Sequence, residues 1–208
     1  MKLNFSGDLE GLERGVEILS ARLGCGLDGD GIPVRVEKTN GNILSVESDG
    51  KECVIRHREK ARFFRAFGLL VERLGKEKKK PFKIEETPRF ALNTALFDCS
   101  NNAVLNIPTV KETIETMALM GLNGLMLYTK DTYEVEGCPY FGHMRGKYTN
   151  AEFKECDDHA DIFGIEMIPS IQALAHLDMA LKWGFAKDVK DNPDILLVGE
   201  PKTYELLK

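Results

Sequence analysis

The sequence predicts an α/β protein. A small N-terminal α+β domain over residues 1–80 precedes the first ~3 βα units of a (β/α)8 barrel, an incomplete barrel over 81–208. Three observations predict this. Asn40-Gly41 and Asp49-Gly50 separate short β-prone runs in the first part. In the second part a strand-like run, a capping sequence, a helical stripe and a closing glycine recur in the same order. The loops after those strands are long and polar while the loops before them are short, as expected of a barrel whose site lies at the carboxyl ends of its strands.

Asp8 is placed to cap a helix with Leu12, Val16, Leu19 and Leu23 on one face and Gly24 as its stop. Residues 32–39 and 42–48 flank Asn40-Gly41 as a hairpin, and Asp49-Gly50 repeats the device before residues 52–57, giving a meander. A second helix puts Phe63, Phe67, Leu70 and Leu74 on one face and stops at Gly75. The domain is therefore expected to be two helices on an antiparallel meander, a packing unit without convergent titratable side chains. Residues 76–80 with Pro81 form a charged run, read as a solvated linker. The boundary falls near 76–88, with residues 82–85 as a connecting strand.

Residues 90–97 are strand-like and end at Asp98-Cys99-Ser100-Asn101-Asn102. Thr109-Val110-Lys111-Glu112 reads as a capping box for a helix with Ile114 and Met117 inward and Gly121 at its end. Leu125-Met126-Leu127-Tyr128 is a short apolar run bounded by turn signals, the pattern of a buried strand in a parallel sheet. Thr149-Asn150-Ala151-Glu152 is a second capping box, and its helix aligns Phe153, Cys156, Ala160 and Phe163 before Gly164. Residues 165–171 give a third strand and residues 195–198 part of a fourth. Roughly 120 residues follow residue 88, against about 250 for a complete barrel.

The net charge of -5 argues against nucleic acid as a partner. No apolar run approaches the ~20 residues that span a bilayer, so no membrane segment is expected. The start, MKLNFSGDLEG, lacks the apolar core of a secretory signal. Five scattered cysteines with no CxxC pair argue against disulfides and zinc and for a reducing, cytoplasmic setting. Asp131-Thr132-Tyr133-Glu134 alternates carboxylates but lacks the glycine and length of a calcium loop, so neither a metal nor another cofactor is expected.

Four segments carry a resemblance: FDCSNNAVLNIPTVKE (97–112), MGLNGLMLYTKDTYEVEGCPYFGHMRGKYT (120–149), FGIEMIPSIQALAHLDMALKW (163–183) and ILLVGEPKTYEL (195–206). In these the chain resembles glycoside hydrolase family 20, the β-N-acetylhexosaminidases, in their bacterial intracellular branch, truncated before the catalytic Asp-Glu pair. The resemblance implies substrate-assisted, retaining hydrolysis of terminal N-acetylhexosamine, in which the 2-acetamido oxygen attacks the anomeric carbon. An Asp orients the acetamide and a neighbouring Glu protonates the leaving oxygen; no Asp-Glu dipeptide occurs here.

The resemblance also implies site residues. Asn101 stands where the family has an Arg that grips sugar hydroxyls, and Lys130-Asp131 where it has an acidic pair, with Asp131 the nearest substitute for the relay carboxylate. His176 matches the histidine that contacts the acid Glu. The expected set is therefore His176 and Asp131 in a supporting relay, with Asp98, Asn101, Lys130 and Tyr133 binding substrate. His57, His143 and His159 read as surface or loop groups. Tyr128, Tyr133, Tyr140, Phe141 and Trp183 suit either a sugar wall or core packing. The expectation is a hexosaminidase fragment, inactive alone, that binds a small N-acetylhexosamine carbohydrate and forms a homo-oligomer covering its open barrel edge. The alternative is a non-catalytic, degenerate fragment with weak sugar binding or a structural, self-associating role.

Overall fold

The computed structural model describes residues 1–77, 80–101 and 103–208. Two lysines of the expected linker, Lys78 and Lys79, and Asn102 of the first polar loop lie outside the described residues. The chain divides into two compact units.

The first unit comprises Met1–Thr94, Lys111–Gly124 and Asp158–Glu166. Its strands are β1 (Lys2–Gly7), β2 (Gly26–Leu27), β3 (Ile32–Lys38), β4 (Leu44–Ser48), β5 (Cys53–His57) and β6 (Phe82–Glu86), with helices α1 (Glu13–Arg22) and α2 (Lys60–Lys76) between them. The sheet order is β2-β1-β3-β5-β4-β6. The expected antiparallel meander is overturned: β3 pairs with β5 in parallel, Val34 opposite Cys53 and Val36 opposite Ile55. Strand β5 thus lies between β3 and β4, and Asn40-Gly41 is not a hairpin. Burial decides this, because Cys53, Val54 and Ile55 are all buried and such a strand is best paired on both sides. The hairpin forms at Asp49-Gly50, where Asp49 Oδ1 accepts the amides of Lys51 at 2.7 Å and Glu52 at 2.9 Å. Strand β6 is no connector: it pairs antiparallel with β4 and closes this sheet beyond residue 80. Strand β1 was not anticipated, since Leu3 alone of its residues is fully buried and no alternation marks it.

Asp8 does not cap α1; its carboxylate accepts the Lys38 amide at 2.8 Å. Helix α1 can nevertheless approach α2 closely because Gly15 has no side chain, as a Cβ there would lie 2.2 Å from the Phe64 ring. Helix α2 runs through Gly75 to Lys76 and buries Phe63, Phe64, Phe67, Leu70 and Leu74. His57 is buried, not on the surface, beside Phe63 at 5.3 Å.

The second unit comprises Ala95–Val110, Leu125–Asp157 and Met167–Lys208. The elements threading from one unit to the other are β7 (Thr94–Asp98), α3 (Ile107–Met120), β8 (Gly124–Thr129), α4 (Asn150–Phe163) and β9 (Glu166–Ile171), in sheet order β7-β8-β9. The hydrogen bonds run start to start and end to end: Asn123 N to Asn93 O, Cys99 N to Tyr128 O, Glu166 N to Asn123 O, Gln172 N to Thr129 O. The three strands are therefore parallel, joined by two helices, and among the described residues they form an open three-stranded sheet. Strand β7 is shorter than expected because the Asn123 side chain takes the Asn93 amide at 2.7 Å and donates to Ala91 O at 2.8 Å, replacing ladder bonds there. Helix α3 is capped by Asn106, whose Oδ1 accepts the Thr109 amide at 2.9 Å, so Thr109 lies inside the first turn instead of at the cap. The box at Thr149 and Glu152 forms as expected. Residues 195–198 make no strand of this sheet. Leu196 instead joins Phe141, Leu177, Leu181 and Val189 in a core with α5 (Asp178–Leu181), a following 3-10 turn and α6 (Pro201–Leu206).

Candidate active-site rim

The candidate site lies in the loops that follow β7 and β8, within the second unit. Asp98 ends β7. Its Oδ1 accepts both the Ser100 hydroxyl at 2.6 Å and the Ser100 amide at 2.8 Å. The Ser100 hydroxyl, then its amide, then the charge of Lys130 hold this carboxyl below its ordinary range. An exposed carboxylate pinned in one rotamer is a ready acceptor for hydroxyl groups. Lys130 follows β8, and its Nζ reaches Asn101 Oδ1 at 3.4 Å. Asp98, Asn101 and Lys130 are thus brought together at the strand ends.

Bonds between buried groups hold the two loops in register. Thr132 Oγ1 donates to Cys99 O at 2.7 Å, and Tyr148 Oη donates to Leu105 O at 2.8 Å. Burial, reinforced by the neighbouring Cys99 thiol, pushes the Tyr148 phenol up, so it stays a donor. Arg145 Nη2 donates to Ser100 O at 2.7 Å and Asn101 O at 2.9 Å. Sequence reading missed Tyr148, Thr132 and Arg145. Nothing in a Gly-His-Met-Arg-Gly turn signals that its guanidinium folds inward, and Tyr148 carries no motif.

The other expected residues are placed differently. Asp131 is 2% exposed and faces Arg145 at 3.4 Å. Tyr133 packs on Phe141 at 5.0 Å and lines a cavity of about 560 Å³ beside the first half of α4, with Phe153, Met167 and Pro169. Asp98, Asn101 and Lys130 do not line that cavity. Burial, then the Asp131 charge, raises the Tyr133 phenol. His176 follows β9 in a left-handed backbone conformation, φ 61°. Its side chain is 64% exposed, with Nδ1 4.0 Å from Asp194 Oδ2. Leu177 N bonds Asp194 O and Leu196 N bonds Leu174 O, so the loop around it is fixed while the ring stays largely exposed. Among the described residues no bond joins His176 to Asp131. Tyr140, His143 and Trp183 pack mutually at 5.1–5.5 Å. His159, in the first unit, is no free surface group; its Nε2 meets Glu115 at 3.2 Å.

Among the described residues, no group of three or more His, Cys, Asp or Glu side chains could hold a metal ion. Among the described residues, no helix is long and apolar enough to cross a membrane.

No family model matches the chain. It is 24% identical over 143 residues to a probable β-hexosaminidase of Drosophila melanogaster, covering 60% of this chain and 21% of that one. Solved structures agree over nearly the whole chain. The exo-β-N-acetylglucosaminidase of Vibrio harveyi, in complex with N-acetylglucosamine, matches with a TM-score of 0.78 at 16% identity, over 98% of this chain and 39% of that one. The family 20 β-N-acetylhexosaminidase of Streptomyces coelicolor A3(2) matches with a TM-score of 0.76 at 21% identity, over 98% and 51%. A Streptomyces plicatus β-hexosaminidase mutant with product matches with a TM-score of 0.77 at 20% identity, over 98% and 50%. The chain thus spans 39–51% of the length of these enzymes. At such identities the likeness is one of fold, and over that share of their length the chain has the fold of the β-N-acetylhexosaminidases of glycoside hydrolase family 20.

Proposed function

We propose that this chain is part of a retaining β-N-acetylhexosaminidase and supplies one portion of its sugar-binding rim. The observation that carries the reading is the likeness in fold to enzymes solved with N-acetylglucosamine, with Asp98, Asn101 and Lys130 clustered at the carboxyl ends of parallel strands. In the substrate-assisted reaction the sugar's own acetamide is the nucleophile, so the protein must hold the sugar, orient the acetamide and supply a general acid. Asp98 accepts from hydroxyls, while Asn101 and Lys130 can bond them from the other loop. Tyr133 is proposed as a flanking contact and His176 as support for the acid. The acid itself is not offered by these residues, because no Asp-Glu dipeptide occurs in the sequence.

We therefore infer that the 208 residues bind N-acetylhexosamine weakly and do not hydrolyse it unaided. We further place the protein in the cytoplasm, since five free thiols suit a reducing compartment. Its open sheet edges favour self-association. Calorimetry of the chain with N-acetylglucosamine tests the reading. Heat that saturates at millimolar sugar is expected, together with no release of p-nitrophenol from p-nitrophenyl-N-acetylglucosaminide. A chain that takes up no sugar and only self-associates would sustain the structural alternative, which Asn101 and Lys130 favour by departing from the family pattern.

A further inference from the structure

Arg145 stands where the two site loops meet. One nitrogen, Nη2, donates to the carbonyls of Ser100 at 2.7 Å and Asn101 at 2.9 Å. The same nitrogen lies 3.4 Å from Asp131 Oδ1, with the two side chains 10% and 2% exposed. Asp131 Oδ1 and Arg145 Nε have no hydrogen-bond partner among the described residues, so the pair is close without being aligned. Burying a carboxylate this deep costs free energy unless a cation lies beside it, and the Arg145 guanidinium is the cation beside it. The loops also touch backbone to backbone here: a Cβ at Gly142 would lie 2.3 Å from Asp131 O. The Asp131 main chain is therefore fixed, its carboxylate is enclosed, and the charge it presents acts on Arg145. A relay carboxylate must reach a proton that moves, and an enclosed one held against a guanidinium does not.

We propose that Arg145 is a positioning residue of the sugar-binding rim, fixing the Ser100–Asn101 turn so that Lys130 meets the Asn101 amide, and that Asp131 serves as its counter-ion and not as a relay group. Asp131 contributes to the site through Arg145. The inference rests on the sugar-binding reading for its functional meaning, but the loop geometry stands apart from it. The planar guanidinium suits the role because one Nη group can serve two carbonyls while the charge remains with the carboxylate.

Arg145→Met, Arg145→Lys and Asp131→Asn, each in the full chain, test this by residue-resolved amide hydrogen exchange alongside N-acetylglucosamine calorimetry. In Arg145→Met, exchange at Ser100 and Asn101 is expected to quicken by about tenfold or more while Leu125 and Leu127 hold their protection. Sugar Kd should rise by a similar factor. Arg145→Lys should recover part of both effects, and Asp131→Asn should resemble Arg145→Met. Unchanged exchange at Ser100 and Asn101 in a folded variant overturns the proposal. So does a loss spread evenly over every strand in Arg145→Lys and Asp131→Asn, which marks a general staple of the fold. If the unaltered chain takes up no sugar, the functional reading fails and the exchange data still decide the role of Arg145.

Discussion

Lys130 Nζ lies 3.4 Å from Asn101 Oδ1, so the two positions at which this sequence departs from the family 20 pattern meet in space. The resemblance places Arg at 101 and a carboxylate at 130, an attractive pair. Here an amide and an ammonium stand at these positions and touch, with the positive charge on the β8 loop. Asn101→Arg alone would set two cations side by side. At about 4 Å such a pair repels by about 1 kcal/mol in water and more where solvent is partly excluded. Asn101→Arg with Lys130→Asp would restore opposite charges. A double-mutant cycle on thermal unfolding should give a favourable coupling of about 1 kcal/mol. Strict additivity of the two single changes would show that these positions do not communicate.

Thr149 and Glu152 cap α4 from both sides. The Thr149 amide donates to Glu152 Oε2 at 2.8 Å and the Glu152 amide to Thr149 Oγ1 at 3.2 Å. The Thr149 amide and hydroxyl hold the Glu152 carboxyl below its ordinary range. Thr149→Ala removes one acceptor and should cost about 1 kcal/mol in denaturant unfolding, whereas Thr149→Ser should cost little. Equal losses in the two variants would mean that methyl packing, not capping, is what matters there.

The two capping boxes show what sequence could and could not convey. The Thr149 box was legible because both its bonds are local and nothing competes for them. The Thr109 box had the same signature, but Asn106 takes the Thr109 amide and starts α3 sooner. The parallel β7-β8-β9 sheet was legible from its repeated units, each of which closes on a glycine with positive φ, Gly121 or Gly164. The small sheet was not, because Asn-Gly is a strong local turn signal while the order β3-β5-β4 is set by the burial of β5, a non-local fact. In the site, Asn101 and Lys130 were singled out by the family resemblance, and the structure sets them against each other at the ends of β7 and β8. Arg145 could not be read, since its partners are backbone carbonyls more than forty residues away in sequence.

His57 makes the stability of the first unit depend on pH. Its Nδ1 lies 3.2 Å from Glu59 O, and its Nε2 is buried with no partner among the described residues. Burial, outweighing the Glu59 carbonyl, holds its pKa below the ordinary 6.5. The folded state therefore keeps the ring neutral, while the unfolded chain takes up a proton near 6.5. The unfolded state binds more protons in the window below 6.5, so stability is full above that pH and declines as pH falls. His159, lowered chiefly by burial, adds a term of the same sign. Urea midpoints should fall between neutral pH and pH about 5, and His57→Phe should flatten the slope whatever it does to the plateau. An unchanged slope in that variant would assign the dependence to other groups.

The three-stranded sheet should drive self-association, and its edge chemistry says how. Glu166 N and Gln172 N both bond toward β8. By alternation the amides of 167, 169 and 171 face the open side of β9. Residue 169 is proline and offers no donor, so strand addition at that edge is blunted. Apolar side chains are not blunted: Leu96 is 56% exposed, Leu174 49% and Ile171 48%. Leu96 shares its face of β7 with Asp98, two residues on. Association should therefore run through these side chains. Light scattering after size exclusion at micromolar concentration should give a mass above that of one chain, and Leu96→Lys with Ile171→Lys should return it toward the monomer. Pro169→Val should act the other way, restoring the missing donor and promoting sheet-like aggregation that thioflavin fluorescence would register. A monomeric unaltered chain would contradict the argument at its root, and a Pro169→Val variant no more prone to assemble would show that the proline has no protective part in it.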